Sequence, residues 1–477
     1  MYSLKRKGIS IILICAVAML VGFCVEAESL SAPITLEAYK EQVEAQNQSY
    51  AAYAQRKDSA RLQLRVNDLQ LSPNLFSTAQ AGWDSKLPST SLMSYDRLDT
   101  RNYSVGLQQN TRYGTDLTLS YDVDYTNYIN MSGGPVKYYD ARPVLEFSQQ
   151  LWRNGFGKST QASLNATEAK WLAEVYTAEA GMSVISLNAE IAYWNLVIAR
   201  EVVKIQGKSL QQSQAIFDYV SGMAKKNLYE QSDVIQARAS LESSRLALQT
   251  AKNDERAAGR NFNALRNKEP NAPIEELSAI DWLSLEAVFT SSAHRAKAEV
   301  KAAEYQAKST AEQTKVSIDQ NEPSLELLGS YALNGRDTTF PDTAADSLGS
   351  GRPTRTIGLK FSMPLNGSAV ADVKKGLEKQ NQASSLSYKQ KLADQEQEWA
   401  DLSAKLADAC EQLRMTKEIE KIQNEKLANE RLRLQQGRTT TYQVLQFEQD
   451  YLQSELSYVR AALTALTLRA QTAIFQY

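Results

Sequence analysis

Cysteine is nearly missing from this chain, and its scarcity narrows the options. Three occur, Cys15, Cys24 and Cys410. The first two fall in an apolar N-terminal run, so an exported form keeps Cys410 alone and has no internal disulfide to staple it. Stability then has to come from packing or assembly. Histidine is scarcer still. His294 is the sole one; within Ala293-His294-Arg295-Ala296-Lys297 it reads as an exposed helix residue. No HExxH, CxxC, Walker loop or GxSxG elbow occurs. The acidic residues are scattered along helix surfaces, so no paired catalytic carboxylates stand out. No enzyme, metal site or cofactor is expected. A one-signed charge is absent too. Lys+Arg number 53 against 55 Asp+Glu, which excludes a strongly basic nucleic-acid face or a polybasic membrane patch. Past the N-terminus no run of 18 apolar residues is read, so no further helix is expected to span a membrane.

The N-terminus has the parts of an export signal. Lys5, Arg6 and Lys7 form a positive region, Ile9 to Phe23 an apolar one, and Val25-Glu26-Ala27 a small-residue cleavage site. A mature chain starting at Glu28 is expected. The apolar run is shorter than the ~20 residues of a spanning helix, which argues against an uncleaved anchor. Phe23 is bulky where lipoprotein signals place a small residue, which argues against lipidation of Cys24.

What the chain does have is length without proline. From Gly155 to Asn227 no proline occurs, and Val175, Ala178, Met182, Ile185, Ala189, Ala192, Leu196, Ala199 and Val203 alternate steps of three and four. That 3.5-residue spacing keeps one helical seam against its neighbours in a supercoiled bundle. At ~1.5 Å per residue such a rod runs roughly 108 Å, and a second, Gly367 to Gly437, roughly 105 Å.

In order, a helix is expected over 34–71, ended by Pro73. Strands follow, clearest at Leu117 to Thr126, where apolar and polar residues alternate. Weaker candidates are Leu75 to Trp83, Tyr103 to Gln109 and Val144 to Leu151, with a tight turn at Arg112-Tyr113-Gly114. Segments 84–101 and 128–141 read as loops. A turn at Asn227 leads into a return helix over about 232–266, with Val234, Leu241, Leu248 and Phe262 in register. Then the order recurs: a helix over 284–320, a strand at Leu325 to Leu333, a loop over 334–355, a strand at Thr356 to Leu365, the second rod, a turn at Gly437 and a last helix with Leu445, Leu452, Val459, Leu466 and Ala473. Phe147-Ser148-Gln149-Gln150-Leu151 matches Phe361-Ser362-Met363-Pro364-Leu365. The expected organisation is a signal peptide over 1–27, a first repeat over 28–266, a connector over 267–283 and a second repeat over 284–477. The first repeat carries an insertion, the hairpin 103–127.

Export signal, alternating strands and missing spanning helices suggest an outer-membrane β-barrel. Eight of the 23 tyrosines (Tyr95, Tyr103, Tyr113, Tyr121, Tyr125, Tyr128, Tyr138 and Tyr139) lie in residues 72–152, between Trp83 and Trp152. Such aromatics form girdles at the headgroups. Four to six strands are too few for a single-chain barrel, and an open edge cannot face lipid. Several copies must therefore close one barrel, continuous with a barrel of helices. The expected fold class is α+β: long coiled-coil-like helices in an α-barrel plus antiparallel strands in a shared transmembrane β-barrel.

The order helix, strands, long helix, return helix, met twice, resembles the outer-membrane efflux protein family (TolC-like). Phe361-Ser362-Met363-Pro364-Leu365-Asn366-Gly367 is similar to the family's strand-to-helix junction, and Leu145 to Leu151 is a looser copy. Asn227-Leu228 with Asp233-Val234 and Ala237-Arg238-Ala239 looks like its first helix tip, and Leu434 to Gly437 with Val444-Leu445 like the second. The resemblance implies a homotrimer in the outer membrane with a periplasmic extension. It implies a periplasmic adaptor, an inner-membrane pump or ABC exporter, and an exit duct for efflux or type I secretion. Asn227, Leu228, Gly437, Arg438, Thr439 and Thr440 would be the adaptor contacts. Where the family carries two acidic residues at the periplasmic aperture, this chain has Gln443 and Gln446, which implies a less cation-selective entrance. Glu448 and Asp450, nearby, read as solvated helix-surface charges, the alternative being that they stand in for the missing acidic pair. The competing expectation is a periplasmic coiled-coil structural or adaptor protein with no pore.

Overall fold

A computed structural model describes residues 33–86, 95–131, 136–226, 228–278, 295–349 and 351–475. The expected signal peptide with Cys24, His294 and Asn227 lie outside the described residues.

Three short helices, α1 (Leu36–Gln46), α2 (Gln48–Gln63) and α3 (Val66–Gln70), open the described chain. The single helix expected over 34–71 is broken at Asn47, whose backbone is extended (φ −74°, ψ 119°). The Asn47 amide side chain donates to the Leu265 carbonyl at 2.8 Å, so tertiary bonding overrides helix propensity there. Strands β1 (Asn74–Asp84), β2 (Arg97–Asn110), β3 (Thr115–Ile129) and β4 (Val136–Gln150) follow. After a 3-10 turn at Gly155–Gly157 come α4 (Lys158–Ala224) and α5 (Gln231–Leu265), then α6 (Ala298–Asp319). Strand β5 (Ser324–Leu333), short β6 (Gly335–Asp337), α7 (Phe340–Ser347) and β7 (Pro353–Ser362) precede α8 (Gly367–Gln435) and α9 (Thr441–Ala473).

The strands are longer than alternation alone indicated. Residues 97–101 and 136–141, read as loop, belong to β2 and β4, because backbone pairing carries polar stretches along with apolar ones. The loop expected over 334–355 holds β6 and α7, with Thr339 capping α7 through a hydrogen bond from the Asp342 amide at 3.4 Å. The sixth long strand, expected to end at Leu365, stops at Ser362 because Pro364 offers no amide.

The chain divides into two compact units, both supplied by the long helices. One draws on residues up to Asn47, Ala189–Val288 and Cys410–Thr467. Its core stacks Tyr39 on Phe262, ring centres 3.9 Å apart, with Tyr193 beside them. Both phenols are satisfied: Tyr39 donates to the Phe262 carbonyl at 3.0 Å and Tyr193 to that of Ile34 at 2.9 Å. Arg266 is fully buried. It lies 4.8 Å over the Phe262 ring and pairs with Glu275 at 3.0 Å, as a buried charge requires. Elsewhere in this unit Ile198 and Ile205 of α4 pack on Leu456 and Val459 of α9.

The α4 seam behaves as its spacing indicates: Val175, Ala178, Ala189, Ala192 and Leu196 are buried. The helix through Gly155–Ala224 contains an 18-residue window apolar enough, by length and composition, to cross a membrane. Its small and aliphatic seam residues account for that apolarity.

The other unit, Gln48–Asn188, Phe289–Ala409 and Leu468–Tyr477, contains the sheet. All strand pairs are antiparallel, in the order β1-β2-β3-β4-β5-β7, with β6 beside β4. The inserted hairpin at 103–127 is part of β2 and β3 and stands inside the sheet.

Candidate functional site

The sheet sorts its side chains by parity. Every strand pairing joins residues whose numbers are both even or both odd, as in Ser104↔Asp122, Asp122↔Arg142 and Val105↔Tyr121. Without a bulge between paired strands, even-numbered residues share one face and odd-numbered residues the other.

The odd face is apolar. Leu75, Leu107, Leu119, Leu145, Tyr331, Ile357, Leu359 and Phe361 all lie on it and are all exposed. Its charges (Arg97, Asp99, Arg101, Lys137 and Arg355) gather at the strand ends away from the long helices. Trp83, Tyr103, Tyr125, Tyr139 and Tyr331 stand near them. At the helix end the exposed aromatics are Tyr113, Trp152 and Phe156. Exposed aromatic residues therefore occur near both ends of the strands, with Leu107, Leu119, Leu145 and Leu359 exposed between them on the odd face.

The even face is wet. It carries Asp84, Asp116, Asp122, Asp124, Asp140, Glu146 and Glu326 against Arg142, Arg336 and Lys360. Its polar groups bond across strands: Asn102 donates to Asp124 at 2.6 Å, Ser104 to Asp122 at 2.6 Å, and Arg142 to Asp124 at 3.5 Å. Among the described residues β1 and β7 are each paired on one flank only.

The sheet is clasped to α4 at one knot. Asn154 and Phe156 have left-handed backbones (φ 53° and 49°). Asn154 holds the turn with its side chain, accepting from the Thr160 amide and donating to the Thr160 hydroxyl, both at 2.8 Å. Its own amide donates to Asp319 at 2.7 Å. Gly157 (φ +79°) lies so near the Arg112-Tyr113 turn that a Cβ would stand 1.9 Å from the Arg112 carbonyl oxygen. Only glycine fits there.

The expected helix tips belong to the other unit. Gly437 (φ +67°) ends α8. Its amide donates to Leu434 at 2.9 Å and that of Arg438 to Arg433 at 2.8 Å, the paired bonds of a Schellman turn. Thr440 caps α9, accepting from the Gln443 amide at 3.3 Å, and the Thr439 hydroxyl reaches the Gln443 side chain at 3.0 Å. At the first tip the Leu228 amide spans back to Met223 at 3.1 Å, while its side chain is 67% exposed. Gln443 and Gln446 are exposed on the first turns of α9, and Gln446 donates to Asp450 at 3.3 Å. Of the expected tip residues, Asn227 lies outside the described ones.

Glu448 is not the solvated charge expected. Its side chain is 12% exposed and pairs with Arg431 at 2.8 Å. Burial pushes its carboxyl up, and Arg431 opposes the shift. Asp450 is half-buried and meets Lys426 at 3.6 Å. One turn further, burial raises Glu455, with Lys208 opposing and Glu420 and Glu201 adding repulsion. Nothing in the local sequence separated these glutamates from surface ones, since what buries them is the neighbouring helix.

No family model matches the chain, and no curated protein matches its sequence. Solved structures do. The outer-membrane channel OprN superposes with a TM-score of 0.66 at 16% identity, over 92% of this chain and 89% of its own. The chain has the fold of TolC-like outer-membrane channels. The outer membrane protein VceC of Vibrio cholerae gives 0.63 at 18% identity, over 91% and 94%. The open state of the MtrE outer membrane channel of Neisseria gonorrhoeae gives 0.64 at 16% identity, over 92% and 88%. The mixed architecture of long helices and antiparallel sheet is thus the one the sequence resemblance implied.

Proposed function

We propose that this protein is an outer-membrane efflux channel, a conduit rather than a catalyst. One observation carries the reading: a sheet of six long strands, with short β6 beside β4, that has one exposed apolar face, one acidic polar face and two edges paired on one flank only. Soluble monomers rarely expose contiguous apolar patches beyond a few hundred Å², and unpaired edge amides cost several kcal/mol each in lipid. Both problems vanish if copies of the chain close one barrel, odd residues toward lipid and even residues toward water. Exposed apolar residues on α8 (Val373, Leu386, Ile419 and Ile422) and α5 (Ile235 and Leu246) are then seams of an α-barrel between copies.

In this reading the assembly is a homotrimer, each copy built from two repeats, 28–266 and 284–477, joined by the connector 267–283. The tips at Asn227-Leu228 and Gly437 to Thr440 dock on a periplasmic adaptor, which couples the duct to an inner-membrane pump or ABC exporter. Gln443 and Gln446 line the periplasmic aperture. The exposure of Leu228 and the rigid Schellman turn at Gly437 support docking, since a fixed loop loses little entropy on binding.

Fractionation of cells expressing the full chain tests the proposal. The protein is expected in the outer membrane as an SDS-resistant oligomer that collapses on boiling to a monomer slightly smaller than the 53.1 kDa of the full chain, the signal peptide having been removed. Recovery as a soluble periplasmic monomer would favour the adaptor reading instead.

A further inference from the structure

The β2–β3 hairpin has no counterpart in the second half of the chain, where β5 and β7 are joined through β6 and α7. It could be an ornament standing beyond a four-strand wall, but its geometry is that of the wall itself. β2 pairs with β1 from Asn74↔Gln108 to Asp84↔Leu98, the whole of β1. β3 pairs with β4 from Thr115↔Gln149 to Tyr128↔Val136. The turn between them does not stand above the sheet. It sits at the helix end, where Gly114 approaches the backbone of Asn154 and Gly157. The hairpin also keeps the two-faced pattern: Val105 and Leu107 are exposed on the odd side, and Ser104 bonds Asp122 on the even side.

We propose that β2 and β3 are wall strands, so that each copy contributes six strands and a closed trimer carries eighteen. This rests on the reading above that copies share one barrel. Six is an even number, and the strands alternate in direction. β7 of one copy therefore meets β1 of the next antiparallel, and closure needs no change of strand sense. The joint must also set odd residues opposite odd ones, or the apolar band would break at every interface. With strands ~4.8 Å apart and tilted ~40°, eighteen close a ring about 36 Å across between backbones, against about 24 Å for twelve. A wall of that size leaves an aqueous channel, so the barrel end of the duct admits bulky solutes, and any fine size limit lies elsewhere.

Two measurements on the full chain test this. Electron cryomicroscopy of the detergent-solubilised oligomer should count eighteen strands. Single cysteines at Ser104, Val105, Asp122 and Val123, introduced with Cys410→Ala, should label by parity in outer-membrane vesicles. Positions 104 and 122 are expected to react with a membrane-impermeant maleimide once the lumen is accessible, and 105 and 123 only with a lipid-soluble one. A twelve-stranded barrel, or all four positions reacting with the impermeant reagent, overturns the proposal while leaving the duct intact. The absence of any closed oligomeric barrel overturns the duct itself.

Discussion

A single charge placed on the odd face should be far more damaging than the same charge one face away. Leu359 is a suitable site. It lies on β7 midway between Arg355 and Met363, is 69% exposed, and faces Leu327 of β5. Eight residues at ~3.4 Å span about 27 Å along the strand, or about 21 Å along the membrane normal at a ~40° tilt. That matches the ~25 Å apolar band of outer-membrane barrels and puts Leu359 near its middle. Arginine at the midplane costs about 2–4 kcal/mol, so in the proposed closed trimer Leu359→Arg should cost about 6–12 kcal/mol if the three copies add. Thr356→Arg, on the even face near Ser330, should cost less than about 1 kcal/mol, within the range of solvated surface changes. The chain already makes this distinction, since Lys360 sits beside Leu359 in sequence and opposite Glu326 across the sheet. Guanidine unfolding of vesicle-reconstituted protein, read by the heat-modifiable oligomer, would measure both. Equal losses for the two variants, or a larger loss for Thr356→Arg, would refute the assignment of faces.

Other outcomes follow from the junctions and tips. Gly157→Ala combines a left-handed backbone penalty of ~1–2 kcal/mol with overpacking of ~1–3 kcal/mol, and should sharply reduce the yield of SDS-resistant oligomer. Arg431→Ala leaves the largely buried Glu448 without its partner and should cost about 1–3 kcal/mol in thermal or chemical unfolding. Glu455→Gln should stabilise at neutral pH. Burial raises the native carboxyl above its unfolded value, so its penalty is present at neutral pH and shrinks as pH falls through the native value. Melting curves of variant and parent should then converge near pH 4, below the unfolded value of ~4.3. If Gln443 and Gln446 line the aperture, trivalent cations on the periplasmic side should block the channel weakly. The double change to aspartate should strengthen that block in single-channel recordings, and strong block of the parent channel would remove the glutamines from the aperture.

Periodicity made much of this legible beforehand. The α4 seam was visible in its three-and-four spacing, and the face of β3 in its strict alternation from Leu117 to Thr126. Asn47 was not, because the bond that breaks the first helix comes from Leu265, more than two hundred positions away. Residues 97–101 and 136–141 were missed for a related reason: their composition suits loops, and only the register with neighbouring strands makes them strand. Glu448 shows the same limit at a site. Its neighbours in sequence look like those of any surface glutamate, and Arg431 reaches it only across the α8–α9 turn. The Asn154–Gly157 knot was missed, since the rod was read as starting at Gly155 and the backbone contact with Arg112 that makes the turn comes from another strand connection.

Single-channel recording from the purified full-length protein in a planar lipid bilayer bears most directly on the shared, lipid-embedded tube. Discrete conductance steps should appear from the oligomeric fraction and be lost when that fraction is boiled to monomers. A water-soluble monomer with no conductance in lipid would contradict it.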